Sequence, residues 1–494
     1  MGSLTCQGMR DLEEQAFRRG ICAESLMDLA GRGIAEALIR RYPKVGYAVA
    51  CIGSGNNGGD ALVALKYLAR AGWQVGVRCL HEPSQVGALP RKKWRELGAL
   101  GALAEGEGGC QSGQPFLILD GLLGLGAKGP LRTPLDELAA WMNHMRRCRG
   151  AVVVAMDLPS GVDGDTGEAQ EGAVVADVTL TVGVAKRGLL SEAAENHVGV
   201  MESVPLDDLP VPEDLSPCLI DRSALSDCLP RRPHRFHKGD AGRVGIVAGS
   251  VGMLGAAVLC ARGALRSGAG LVTVFVYEEV YPLLAPMMPP EVMVQPVKSL
   301  QAIRGCDLDA MVMGPGMGSS NQQENRRWLA LLRQLEMPMV LDADALNRLA
   351  QVSLVKYLRA CHVLTPHPGE MARLFPEGAH WDREKKVKAF VERYPGTTLL
   401  LKGAHSVIAR DDQALHINGS GHAGMASGGQ GDVLAGVIGG LMAQNVPPFE
   451  AARLGAWLCG RAAELALSHG HQSVHSVLPS DVLDCLGLAF RDLP

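Results

Sequence analysis

Strand-like and helix-like segments take turns along this chain, stop, and then start again. In the first half YAVACIG, WQVGVRCL, PFLILDGLLG and AVVVAMDLPSG are apolar runs that end in loops. ALVALKYLARAG and LDELAAWMNHMRR lie between them with apolar residues at helical spacing, and DLEEQAFRRGICAESLMDLAGRGIAEALIRRY reads as amphipathic helix ahead of them. VVADVTLTVGV and LLSEAAENHVGVMESVPL close the half. Strands that alternate with helices predict a parallel, doubly wound α/β sheet. Ligands then bind in the loops at the strand C-termini.

From about Leu206 to Arg235 the alternation fails. LDDLPVPEDLSPCLIDRSALSDCLPRRPHRF is rich in Pro and Asp and reads as a linker. Beyond it RVGIVAGS, LGAAVLCARGALRSGAG, LVTVFVY and DAMVMGPG resume the pattern, with no sequence repeat of the first half. A chain of 494 residues exceeds one ordinary core, so two domains are expected. They are placed at residues 1–212 and 222–494.

Composition narrows the function classes. The net charge of −4 offers no basic footprint for nucleic acid. No apolar run is long enough to span a bilayer, and MGSLTCQGMRDLEEQAF lacks an apolar signal core. The 13 cysteines are scattered without a C-x-x-C pair. They read as small buried residues in a reducing cytoplasm rather than as a disulfide frame or structural zinc site. Small-molecule ligands, no nucleic acid, no membrane and a homo-oligomeric state are expected.

The chemistry of the first half starts at CIGSGNNGGDALVAL, where Gly53, Gly55 and Gly58 spell G-x-G-x-x-G. A glycine turn at a helix N-terminus presents backbone N–H groups and a positive dipole end. Asp60 would repel a diphosphate there. The oxygens of Asn56, Asn57 and Asp60 suit ribose hydroxyls or a hard cation instead. DGLLGLGAKGPLR puts Asp120 at a strand end and Lys128 in a glycine loop, and MDLPSGVDGDTG puts Asp157 and Ser160 at the next strand end. Singly each is a turn. Together, Asn57, Asp120 and Ser160 converge on one crevice.

In the second half SVGMLG precedes a helix of very small residues, MVMGPGMG is a further strand-end glycine loop, and LDADALN offers two aspartates able to hold Mg²⁺ through water. LTPHPGE sets His367 and Glu370 at a strand-to-helix turn, where His367 alone reads as a capping residue. In GMASGGQGDVLAGVIGG, Gly428, Gly429 and Gly431 precede Asp432 at the start of an apolar helix. Successive N–H groups there form an anion hole for a transferring phosphoryl group. An aspartate so placed can deprotonate an attacking hydroxyl.

NNGGD, DGLLGLGAKG and DLPSGVDGDTG resemble the NAD(P)H-hydrate epimerase domain over most of residues 1–205, a Rossmann-like domain. The resemblance implies a K⁺ ion held by Asn57, Asp120 and Ser160. It also implies substrate contacts from Asn56, Asn57, Gly58, Gly59 and Asp60, from Gly124, Leu125, Gly126, Ala127, Lys128, Gly129 and Pro130, and from Asp157. HKGDAGR, GPGMG, LDADALN, LTPHPGE, LKGA and GMASGGQGDVLAG resemble the ADP- or ATP-dependent NAD(P)H-hydrate dehydratase over about residues 230–490, a ribokinase-like α/β domain. That implies hydrate contacts from Ala256, Gly318, His367 and Asp432, with Asp432 as the base. It implies AMP contacts from Lys402, Gly403, Ala404, His405, Ser406 and Gly431, and use of ADP with Mg²⁺. Gln430 stands where the family usually has Ser or Thr, and Ala61 where it usually has Gly.

Two other classes remain open at this stage. One is a ribokinase-type small-molecule kinase with an accessory domain. The other is a nucleotide sensor built on the epimerase-like half. A kinase would yield a phosphorylated product, whereas the dehydratase releases free phosphate.

Overall fold

The computed structural model describes all residues except 1, 81–84, 102, 104–112, 127, 213, 319–320 and 470–471. The chain divides into two compact units, Met1–Leu219 and Ile220–Pro494.

In the first unit six strands form one parallel sheet: β1 (Tyr47–Ile52), β2 (Gln74–Arg78), β3 (Phe116–Gly121), β4 (Val152–Met156), β5 (Val178–Val182) and β6 (Val200–Val204). Their order is β2-β1-β3-β4-β5-β6. The chain leaves β1 to one side for β2 and returns to its other side for β3. The crevice between the C-terminal ends of β1 and β3 is therefore the topological switch point, where open α/β sheets bind ligands. One face of the sheet is covered by α2 (Ala23–Arg41) and α3 (Asn56–Arg70), through Ile34, Leu38, Leu62 and Leu65 against Ala48, Ala50 and Leu119. The other packs Leu138 and Met142 of α5 (Leu135–Arg149) on Val49, Ile118 and Val153. Alternate residues of each strand serve the two faces, as a two-residue side-chain period requires.

The N-terminal stretch that reads as one helix is two, α1 (Cys6–Arg18) and α2. Gly20 adopts φ +93°, a left-handed turn that ends the first, and Cys22 caps the second by accepting from the Ser25 amide. A further helix, α4 (Ala88–Gly98), follows β2.

In the second unit the sheet contains β7 (Arg243–Val247), β8 (Leu271–Tyr277), β9 (Val292–Val297), β10 (Ala310–Met313), β11 (Met339–Leu341), β12 (His362–Leu364), β13 (Thr398–Leu401), β14 (Val407–Ala409) and β15 (His416–Ile417). These run in the order β9-β8-β7-β10-β11-β12-β13-β14-β15. Pairing is parallel from β9 to β13 and antiparallel from β13 to β15. Strand order again reverses at β7, between β8 and β10. The proline- and aspartate-rich stretch is not wholly irregular: Arg222–Ser226 is a short helix capped by Asp221, which accepts from the Ser223 amide at 2.9 Å.

Two helices of small residues, α6 (Leu254–Arg266) and α9 (Gln430–Ala443), meet backbone to backbone. A Cβ on Gly436 would lie 2.0 Å from the Cys260 carbonyl oxygen, and one on Gly263 2.6 Å from that of Val433. Only glycine permits this approach. The remaining core comes from the wholly buried centre of α10 (Pro448–His469) and from Val482, Leu483 and Leu486 of α11 (Pro479–Arg491).

Candidate active sites, one in each unit

At the switch point of the first unit, Gly53 follows β1 and α3 starts at Asn56, with Gly55 as an extended N-cap. Asn56 is exposed, whereas Asn57, Gly58 and Gly59 are buried. The Asn57 Nδ2 donates to the Leu123 carbonyl at 2.7 Å, which ties this turn to the loop after β3. That loop also approaches Asn57 at Gly124, where a Cβ would come within 3.4 Å of the Asn57 Cβ. Arg10 of α1 donates to the Leu125 carbonyl at 2.8 Å. Gly124–Gly126 and Lys128–Pro130 thus belong to one loop over the crevice, while Ala127 lies outside the described residues.

Asp120 is 0 % exposed. It accepts from the Ser160 amide and hydroxyl, each at 2.7 Å, and the Leu123 amide donates to the same hydroxyl oxygen at 3.1 Å. Burial raises the Asp120 carboxyl to about 6, and the hydrogen bonds from Ser160 and Leu122 hold it from rising further. The structure therefore brings Asp120 and Ser160 into contact and connects Asn57 to them through Leu123. One buried carboxylate with amide, hydroxyl and carbonyl oxygens around it fits a monovalent cation. Its charge would offset the desolvated carboxylate, with too little negative charge to favour a divalent ion.

Next to this group sits a second one. Lys186 is 1 % exposed; its Nζ is bonded to the Asp157 carboxylate and donates to the Val182 carbonyl at 2.9 Å. Asp157 has φ +77° and also accepts from the Val182 amide at 2.9 Å. Burial, then the charges of Asp157 and Glu13, push Asp60 well above the usual carboxylate range, with Lys186 opposing. That shift favours the protonated form and so weakens the repulsion that its sequence position suggested. Glu13, Arg10 and Lys186 were not picked out by the sequence reading. For Lys186 the signal was a basic pair, Lys186 and Arg187, closing the strand-like VTLTVGVA.

In the second unit α9 opens on Gly429, whose φ of +101° turns the chain into the helix. Gly431 faces Lys402: a Cβ there would meet the lysine Nζ at 3.2 Å and Asp342 at 3.6 Å. Lys402 Nζ donates to Asp342 Oδ1 at 2.8 Å and lies 4.0 Å from Glu370. Burial opposes its charge, but Asp342 and Glu370 hold it above the ordinary lysine value. Asp432, half-buried in the first turn of α9, is raised to about 6. Burial is the main cause and Asp342 adds to it, while Lys402 pulls the other way. A carboxyl poised near 6 on a helix that begins with a glycine loop suits a general base.

The other expected residues surround this centre unevenly. The Gly318 amide donates to Asp344 at 2.8 Å, and Asp344 acts electrostatically on Asp432. Ala256 packs by Gly316, where a Cβ would touch its side chain at 2.9 Å. His367 caps α8 (Pro368–Leu374), accepting from the Gly369 amide at 3.0 Å, and Glu370 returns the bond from the His367 amide at 2.8 Å. Its connection to Lys402 runs through Glu370. Gly403 packs against Arg383, which also bonds the His405 carbonyl, and the Ser406 carbonyl accepts from the Asn418 amide at 2.9 Å. The geometry ties Lys402 and Gly431 to Asp432. It gives Gly403–Ser406 no contact with Asp432 among these bonds. Asp342 and Asp344 already carry partners, and among the described residues no cluster of three His, Cys, Asp or Glu side chains could hold a metal. An Mg²⁺ ion would here depend on phosphate oxygens for part of its shell.

Comparison with known proteins agrees with both halves. A family model described as YjeF-related protein N-terminus matches residues 23–188, and one described as NAD(P)H-hydrate dehydratase matches residues 244–486. The bifunctional NAD(P)H-hydrate repair enzyme Nnr of Coxiella burnetii is 34 % identical over 486 residues, covering 94 % of each chain. That of Gloeobacter violaceus is 36 % identical, covering 93 % of each. A crystal structure of a ribokinase-like superfamily protein from Enterococcus faecalis aligns with a TM-score of 0.50 at 25 % identity, covering 55 % of this chain and 95 % of its own. With a Rossmann-like unit followed by a ribokinase-like one, the chain belongs to the family of bifunctional NAD(P)H-hydrate repair enzymes.

Proposed function

We propose that the chain restores NADH and NADPH hydrated at nicotinamide C6, with the first unit exchanging the two C6 epimers and the second dehydrating one of them with ADP. The reading rests above all on Asp432, a carboxyl held near 6 beside Lys402 at a glycine-started helix. Asp432 takes the proton of the C6 hydroxyl as its oxygen attacks the β-phosphorus of ADP, and AMP leaves. Loss of phosphate with the C5 proton then restores the ring double bond. Lys402 and the amides around Gly431 offset the charge gathering on the transferred phosphoryl group. Incubation with hydrated NADH and ADP should return NADH absorbance with AMP and phosphate in equal amounts. A stable phosphorylated product would instead make this a kinase.

In the first unit C6 bears both the hydroxyl and the ring nitrogen. Inversion needs one of those bonds to break and re-form, with a proton taken and returned at the hydroxyl. The Asp157–Lys186 pair is the proton-exchanging group in this reading. Asn57, Asp120 and Ser160 would hold K⁺, whose charge supplies electrostatic support to the crevice. Epimer exchange is expected to fall at least tenfold in K⁺-free buffer, and Asp120→Asn should lose the dependence on K⁺. Full exchange without K⁺ in the parent protein would remove these residues as ligands.

ADP is expected to support dehydration better than ATP, on family resemblance. Gln430, whose Nε2 donates to the Ser427 hydroxyl at 3.4 Å, takes the place of a family hydroxyl beside the phosphate loop. A steady-state comparison favouring ATP severalfold would reverse the assignment and direct attention to Gln430. We place the reaction in the cytoplasm on the scattered cysteines of the sequence, which suit a reducing compartment. Among the described residues no helix is long and apolar enough to cross a membrane.

A further inference from the structure

Among the described residues, Arg348 is the buried cation with no ion-pair partner. Arg348 projects from α7 (Asp344–Leu349) and is only 9 % exposed. Its Nη2 donates to the carbonyl of Gly318, an uncharged acceptor, at 3.2 Å. Its Nε is buried and has no acceptor among the described residues. Its nearest acids are committed elsewhere. Asp344 accepts from the Gly318 and Asn347 amides at 2.8 and 3.3 Å, and Glu324 closes a capping box with Asn321. Neither forms an ion pair with the guanidinium. Burial accordingly pulls Arg348 down from its usual value.

A second orphan donor lies beside it. Trp328 is 1 % exposed, its Nε1 has no acceptor, and the Arg348 guanidinium carbon is 5.7 Å from its ring centroid. Tyr277, at the C-terminal end of β8 and 36 % exposed, lies near enough to feel the Arg348 charge. A buried guanidinium lacking a counter-ion is costly, and unpaired buried donors add to the cost. Both costs vanish when an anion with several acceptor oxygens enters. Arginine's planar fork matches the paired oxygens of a carboxylate or a phosphate, and of these the hydrated dinucleotide carries phosphate.

We propose that Arg348, with Trp328, binds a phosphate group of the hydrated dinucleotide at the Gly318 end of the second site. The assignment rests on the dehydratase reading given above. Arg348 is a binding residue here and takes no part in proton transfer. The phosphate is either in the pyrophosphate bridge or at the 2′ position of NADPH.

The test is steady-state dehydration by the full chain carrying Arg348→Met or Arg348→Lys, with hydrated NADH, hydrated NADPH and ADP each varied. A lost charge-assisted hydrogen bond should raise KM for the hydrate about ten- to a hundredfold. The effect on kcat should stay within threefold, and KM for ADP should not move. An equal rise for both hydrates assigns the pyrophosphate, and a rise for hydrated NADPH alone assigns the 2′-phosphate. Because an unpaired charge is removed, Arg348→Met should melt no lower than the parent. If it fails to fold, Arg348→Lys decides, since lysine keeps the charge but not the fork. An unchanged KM for both hydrates, a fall in kcat alone, or a shift confined to ADP would overturn the assignment. An inactive parent enzyme would overturn the dehydratase reading and this assignment with it.

Discussion

Asp432→Asn is expected to slow dehydration by about 10²–10⁴-fold while leaving epimer exchange at the parental rate. The substitution preserves shape and removes only the group that accepts the hydroxyl proton. It also removes the charge that Lys402 partly offsets, so ADP binding should hold or tighten slightly. The pH profile carries a second signature. A base acts only when deprotonated, and burial holds this carboxyl at about 6. Parental kcat/KM should therefore fall about tenfold per unit below pH 6, because that ratio reports groups of the free enzyme. The residual activity of Asp432→Asn should lack this acid limb. Retention of the limb would mean that another group is the base.

Lys186→Arg should abolish most epimer exchange, again by about 10²–10⁴-fold, with dehydration of the directly usable epimer intact. Arginine can keep the ion pair with Asp157 but does not give up its proton. Lys186→Met is the harsher change. It strands the Asp157 carboxylate in a buried site, which costs about 3–5 kcal/mol. Circular dichroism on both variants separates loss of fold from loss of chemistry. Exchange within threefold of the parent in a folded Lys186→Arg protein would remove the lysine from the proton-exchange step.

The sequence made the architecture legible because buried parallel strands and their helices differ so sharply in pattern. The glycine loops marked the strand ends, and strand order then placed Asn57, Asp120 and Ser160 in one crevice. Other features need three-dimensional information. Lys186 and Asp157 are 29 positions apart in the sequence, and nothing local marks their pairing. Asp60 looked hostile to phosphate because the upward shift of its carboxyl comes from burial and then from Asp157 and Glu13, which lie on other elements. Arg348 reads as an ordinary arginine in LNRLA until it is seen to have no ion-pair partner among the described residues. The break at Gly20 was hidden because apolar spacing continues on both sides of it.

The glycine contacts between α6 and α9 have a mechanical meaning. Side chains between two helices can change rotamer and absorb a displacement. Here the main chains touch at Gly436 and Gly263, so little slack exists between them. Helix α6 follows directly on Ser250–Met253, and α9 begins two residues before Asp432. A displacement of that loop would therefore reach α9 with little loss. The position of the Asp432 carboxylate is thus set by main-chain packing between the two helices more than by adjustable side chains.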